Sequence, residues 1–257
     1  VRAEPPERIA ERILAEARAE PGGVVATDGD GTLWSGDVGD DLFFALLDAG
    51  ALEPIAAEAF AREAAAHGLR PSGSPVEVAR ALHRAFEDGS FPEERFFELI
   101  ACSFAGWSRP RIHAFARDVV LKSGVAARLH PELGAILSVV ADAGIEVFLV
   151  SASPRAVVDA AAAVAGIAVD HVVASDARWE GDTMLADVDR PIPYAAGKVR
   201  ALGLRIGDRP LYAAFGDSAF DLAMLSAARV PVAIRPKPRL VERAHELPRL
   251  VVAEARS

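Results

Sequence analysis

Two aspartates one residue apart, Asp28 and Asp30, stand in Asp28-Gly29-Asp30-Gly31-Thr32, directly behind the apolar run Val24-Val25-Ala26-Thr27. Carboxylates at that spacing repel each other, so either a cation such as Mg²⁺ relieves them or one keeps its proton. Further polar residues follow apolar runs downstream. Ser151 comes after Ile145–Val150, and Asp217 with Asp221 after Leu211–Phe215, while Lys198 lies near the start of a helical pattern. A calcium loop is excluded, because Thr32 and Leu33 stand where that loop needs a further ligand and a glycine.

A phosphate monoester brings close to two negative charges to such a group, and that charge must be cancelled. Mg²⁺ suits carboxylates plus phosphate, with Asp28, Asp30 and Asp217 as its protein ligands. Lys198, the Ser151 hydroxyl and Gly29 are the expected phosphate contacts. Free N–H groups at the starts of the helices after Ser153 and Asp217 would add to them. The carboxylates then divide the labour. Asp28 attacks phosphorus in line to give an aspartyl-phosphate, and Asp30 gives a proton to the leaving oxygen and later takes one from water. Asp221 shares a helical face with Asp217 and can orient Lys198 or the waters of the metal, with Thr32 in support.

The elements that must position these residues follow from periodicity. Residues 7–19 form a helix stopped by Pro21-Gly22-Gly23 before the strand at 24–27. From Val38 to Gly124 the pattern is helical, with no convincing strand. Segments 40–49, 54–67, 92–103 and 110–122 are helices, and Ser74-Pro75-Val76-Glu77 is a capping box opening another through Phe86. From His130 helices and strands alternate, with strands at 145–150, 172–173, 211–215 and 230–234, and a hairpin at 179–188. Ser153 reads as the N-cap of the helix that follows it. This pattern predicts an α/β fold, a doubly wound parallel sheet of residues 1–37 and 125–257 with an all-helical insertion at 38–124. Ligands of such sheets bind beyond the carboxyl ends of the strands, where Asp28, Asp30, Ser151 and Asp217 fall.

Composition narrows the partners. The 257 residues are 51% apolar and carry a net charge of -9, which disfavours a nucleic-acid binder. No apolar run reaches membrane-span length, and the first residues, Val1-Arg2-Ala3-Glu4-Pro5-Pro6-Glu7, have no signal-peptide apolar region. With a single cysteine, Cys102, the expectation is a cytoplasmic protein of undetermined oligomeric state acting on a small phosphomonoester. Only three lysines occur among 28 basic residues, so a well-placed lysine such as Lys198 carries more information.

In this order the motifs resemble the haloacid dehalogenase-like phosphatase superfamily. Its four motifs match Asp28-Gly29-Asp30-Gly31-Thr32, Ser151, Lys198 and Gly216-Asp217-Ser218-Ala219-Phe220-Asp221. The resemblance implies a Rossmann-like core, Mg²⁺ and the aspartyl-phosphate route. The insertion after the first motif resembles a helical cap. Ser151-Ala152-Ser153-Pro154 and Arg235-Pro236-Lys237-Pro238-Arg239-Leu240 are similar to the phosphoserine phosphatase-like branch, in which Asp37 would meet a substrate ammonium. Three positions depart from that pattern. Ser-Gly-Gly is replaced by Ser151-Ala152-Ser153, Gly29 stands where a bulky apolar residue is common, and Arg95 is only the nearest candidate for a carboxylate-binding arginine. A phosphomutase, or a phospho-accepting signalling receiver, would use a similar residue set. A receiver needs no Asp30.

The remaining residues have plainer readings. Trp34 is a candidate substrate contact, and with Trp107 it could wall a cationic head group or pack cap against core. His67, His83, His113, His130 and His171 lack metal spacing, Cys102 reads as inert core, and the run 235–239 reads as a rigid connector.

Overall fold

A computed structural model describes residues 2–256. Its strands are β1 (Arg2–Glu4), β2 (Val24–Thr27), β3 (Val147–Pro154), β4 (Val172–Ser175), β5 (Ala177–Glu180), β6 (Thr183–Val188), β7 (Leu211–Gly216), β8 (Val230–Ala233) and β9 (Val251–Ala253). Seven of them form one parallel sheet in the order β1-β9-β8-β7-β2-β3-β4, with β5 and β6 as a separate antiparallel hairpin. This is the doubly wound, Rossmann-like α/β arrangement that the alternation predicts.

β2 sits inside the sheet, paired on one side with β3 and on the other with β7. All four of its residues are buried, as a parallel strand covered on both faces requires. Successive side chains serve opposite faces. Val25 joins the core packed by helices Pro6–Ala19, Pro131–Asp142 and Arg155–Val164, whereas Val24 and Ala26 join the core beneath Ala196–Ile206 and Leu222–Ala227. Thr27 is level with Leu149 of β3 and Phe215 of β7, so β2 and β7 end side by side at one rim, and β3 runs on past it to Pro154.

Between β2 and β3 the regular elements of the described chain are all helices, joined by turns and loops and apart from isolated bridges. Helices Val38–Asp48, Pro54–Ala66, Pro75–Glu87 and Glu93–Ala101 enclose a core of their own, built around Phe43, Phe60, Leu82, Phe91 and Phe96. The helix Arg109–Lys122 contributes Ile112, Ala116 and Val120 to the main core instead. The Ser74–Glu77 capping box forms as the sequence predicts, with Pro75 in the first turn. The hairpin binds the insertion edge-on, Gly106 N–H donating to the Met184 carbonyl (2.9 Å) and Met184 N–H to the Trp107 carbonyl (3.0 Å).

Two expectations are corrected here. Strands β1 and β9, unread in the sequence, pair with each other and extend the sheet beyond β8, with β1 at the edge. Ser153 is not an N-cap: β3 runs on to Pro154, the helix starts at Arg155, and the Ser153 hydroxyl points elsewhere. No helix among the described residues is long and apolar enough to cross a membrane.

Candidate active site

At the rim where β2 and β7 end beside the carboxyl-terminal half of β3, the sheet register gathers residues far apart in the chain. The Asp28 N–H donates to the Phe215 carbonyl at 3.0 Å, which fixes Asp28 against the end of β7 and next to Asp217. Gly31 permits the close approach. Its φ is +85°, and a Cβ there would lie 2.1 Å from Asp217 Oδ2.

Asp28, Asp217 and Asp221, all buried, each offer a carboxylate oxygen within 4.8 Å of the others. Lys198, in the first turn of its helix, places Nζ 2.6 Å from Asp28 Oδ1 and also against Asp221 Oδ1. The other Asp221 oxygen accepts the Asp217 N–H (3.1 Å), the Ser218 N–H (3.0 Å) and the Ser218 hydroxyl (3.0 Å). Asp221 therefore closes the loop after β7 and orients Lys198. It does so from a short 3₁₀ turn, Ala219–Asp221, and not from a helical face shared with Asp217.

Burial pushes the Asp28 carboxyl up to about 8, opposed by Lys198 and reinforced by Asp221, Asp217 and Asp30. Burial likewise raises Asp217, which Lys237 opposes and Asp221 reinforces. Burial alone would lower Lys198, but Asp221 and Asp28 hold its pKa above the ordinary value, so it stays a cation. With all three acids ionised, the group would carry one carboxylate more than the ammonium groups of Lys198 and Lys237 neutralise. Three hard oxygen donors in one buried space, short of positive charge, fit a divalent cation such as Mg²⁺.

Asp30 lies outside that group of three. Its Oδ1 accepts the Trp34 indole N–H (2.8 Å) and the Val38 N–H (2.7 Å), and its Oδ2 accepts the hydroxyls of Ser153 (2.8 Å) and Ser151 (3.2 Å). Ser151 in turn accepts the Ser153 N–H at 3.0 Å. Asp37 caps the helix Val38–Asp48 through the Asp40 N–H at 2.9 Å. Burial, then Asp30 and Asp40, raise its carboxyl well above the usual range. The Gly29 carbonyl closes the turn by accepting N–H groups of Thr32 and Leu33. Thr32 is buried, its carbonyl 2.9 Å from His130 Nδ1 and its hydroxyl without a partner among the described residues.

Other expectations dissolve at this point. The Arg95 guanidinium is taken up by Glu63 and Glu98, and it lines a cavity with Arg190 and Asp187. Trp107 donates its indole N–H to the Ala51 carbonyl and packs on Phe104 and Phe115, while Trp34 is fully buried, so the two make no open aromatic wall. Cys102 is buried, which pushes its thiol up to about 12.

The site also holds a residue the sequence reading passed over. Lys237 Nζ lies 2.9 Å from Asp217 Oδ2 and Arg235 pairs with buried Glu132, so the run 235–239 is more than a connector. The scarcity of lysine, which singled out Lys198, applied equally to Lys237.

A strand-end aspartate in contact with a buried lysine, beside a loop-closing acid on a doubly wound sheet, is the kind of site that haloacid dehalogenase-type hydrolases have. The chain belongs to that family: the model of haloacid dehalogenase-like hydrolases matches residues 25–226. Among solved structures, a protein of unknown function from Bordetella pertussis Tohama I is 20% identical, with 89% of this chain and 97% of that one covered and a TM-score of 0.69. A substrate-bound phosphoserine phosphatase complex is 16% identical, with 92% and 95% covered and a TM-score of 0.55. A family hydrolase from Salmonella enterica serovar Typhi is 19% identical, with 86% and 65% covered and a TM-score of 0.55. Comparison with curated protein sequences finds no match.

Proposed function

We propose that the protein is a Mg²⁺-dependent phosphatase that hydrolyses a small phosphomonoester through an aspartyl-phosphate. The observation that carries this reading is the buried convergence of Asp28, Asp217 and Asp221 on Lys198 at the rim of the sheet. The similarity to a phosphoserine phosphatase supports it at the level of fold.

Asp28 and Asp217 would hold the cation, which supplies charge neutralisation for the phosphate and for the nucleophile. Asp28 forms a bond to phosphorus as the bond to the leaving oxygen breaks. Lys198, fixed by Asp221, stabilises the charge on the transferring oxygens. Asp30 hands the leaving oxygen a proton, then takes one from the water that cleaves the acyl phosphate, giving inorganic phosphate and alcohol. The helices of residues 38–101, with a core of their own, are the cap that excludes water and selects the alcohol.

The reading extends to substrates bearing an ammonium group. Asp37 sits beside the Asp30 site, since a Cβ at Gly39 would touch both Asp37 Oδ1 and Ser153 Oγ. Its raised carboxyl would be relieved by a cationic group. Arg95 is occupied by Glu63 and Glu98 and so is not free to take a substrate carboxylate.

Phosphate release from phosphorylated amino acids, amino alcohols, sugars and nucleotides, with Mg²⁺ or EDTA, tests the proposal. Activity should need the metal and vanish in Asp28→Asn. Full activity in EDTA or in that variant would overturn it. Asp37→Ala should impair amino-bearing substrates selectively, and an equal loss on sugar phosphates would remove that extension.

A further inference from the structure

We infer that Trp34 and Ser153 are positioning residues for Asp30, holding its carboxylate in one orientation for proton transfer. The inference rests on the acid–base role proposed for Asp30.

Both carboxylate oxygens of Asp30 are doubly tied. The Trp34 indole N–H and Val38 N–H meet Oδ1 at 2.8 and 2.7 Å, and the Ser153 and Ser151 hydroxyls meet Oδ2 at 2.8 and 3.2 Å. These donors come from the turn after β2, the start of the helix Val38–Asp48 and the end of β3. A short side chain held from three separate elements cannot rotate without breaking contacts on all of them. Proton transfer falls off sharply with misplacement of the acid, so such fixation bears on rate more than on binding.

Two of the four donors occupy space that a glycine leaves open. A Cβ on Gly29 would lie 2.8 Å from Trp34 Cζ2, so the indole could not fold back over the turn beside any larger residue. A Cβ on Gly39 would lie 2.6 Å from the Ser153 hydroxyl. Trp34 and Ser153 are themselves buried, 0% and 2% exposed, so neither is presented to solvent as a substrate contact. Gly29 with Trp34, and Gly39 with Ser153, thus form two matched pairs that deliver one donor to each oxygen of the same carboxylate. The geometry also explains why Ser153 leaves the helix after β3 uncapped: its hydroxyl is committed to Asp30.

The test uses the full chain with Mg²⁺ and two probes, p-nitrophenyl phosphate, whose leaving group needs little protonation, and phenyl phosphate, whose leaving group needs more. For kcat/KM, which reports steps up to departure of the leaving group, Trp34→Phe and Ser153→Ala should each lose about 10-fold more on phenyl phosphate. That is part of the roughly 10²–10⁴-fold that general acid catalysis supplies. In an Asp30→Ala background neither substitution should change kcat/KM further. As a measurement independent of turnover, the Trp34 indole ¹H–¹⁵N resonance should move upfield in Asp30→Ala, with Trp107 and Trp179 as internal references. Equal losses on the two probes, undiminished losses in the Asp30→Ala background, or an unmoved indole resonance would overturn the inference. If Trp34→Phe fails to fold, Ser153→Ala and the indole resonance still decide it. Full activity of Asp30→Ala on phenyl phosphate would instead refute the acid–base role itself.

Discussion

Replacing Asp28 with Asn removes the proposed nucleophile, and it has a second consequence that needs no substrate. Asp28 is 6% exposed, and its burial raises the carboxyl from 3.8 to about 8, Lys198 opposing and the neighbouring acids reinforcing the shift. The folded chain therefore keeps a proton that the unfolded chain releases near 3.8, so the metal-free protein loses stability as pH rises between those two values. One pH unit corresponds to about 1.4 kcal/mol, and the rise of about four units sets a ceiling of roughly 6 kcal/mol. Asp217 titrates in the same cluster and readjusts as Asp28 ionises, which brings the expected difference down to a few kcal/mol. Asn carries no proton to lose. Urea unfolding in EDTA from about pH 5 to about pH 9 should show wild type declining through this window while Asp28→Asn declines less, the gap levelling off above the raised value. Mg²⁺ should flatten the wild-type profile, since a cation takes the place of the proton, and leave the variant nearly unchanged. Parallel profiles of the two proteins in EDTA would refute the argument that buried charge at Asp28 is held off by a proton.

Two further outcomes follow from the ion pairs. Lys237 Nζ lies 2.9 Å from Asp217 Oδ2, on a carboxylate proposed to hold the cation, so Lys237→Gln should tighten Mg²⁺ binding several-fold by calorimetry, and unchanged or weaker binding would show that the two do not compete. Glu98, 7% exposed, accepts from Arg190 at 2.9 and 3.0 Å and from Arg95, joining the helical insertion to the segment after the hairpin. Glu98→Gln should cost about 1–2 kcal/mol in urea unfolding, toward the lower part of the range for charged hydrogen bonds because both arginines are partly hydrated. No measurable loss would mean that this junction is not held electrostatically.

The core strands were legible because each is a short apolar run bounded by turn residues, and their alternation with helices admits one parallel, doubly wound solution. The capping box at Ser74 was equally plain, since both of its hydrogen bonds are local in sequence. β1 and β9 left no such trace. Each has three residues, and β1, Arg2-Ala3-Glu4, is strongly polar, so only pairing with the other and with β8 makes them strands. Ser153 failed for the opposite reason. Its local signal, a serine before Pro154, favoured a cap, and a hydrogen bond to a residue 123 positions away overrode it.

The chemistry-bearing residues were likewise fixed by sequence in kind and order: aspartates after β2 and β7, Ser151 after an apolar strand, and Lys198 opening a helix. Their partners were decided only in three dimensions. Which carboxylates share a cation-sized space depends on the level at which β2 and β7 end, and that level brings Asp28, Asp217 and Asp221 together while Asp30 turns toward β3. Trp34 became a hydrogen-bond donor to Asp30 because Gly29 leaves its ring a place to lie. Lys237 reached Asp217 because β8 runs parallel beside β7 and ends at the same rim. Residue type and strand order are local properties of a chain, whereas charge pairing and burial are set by distances that exist only once the sheet has closed.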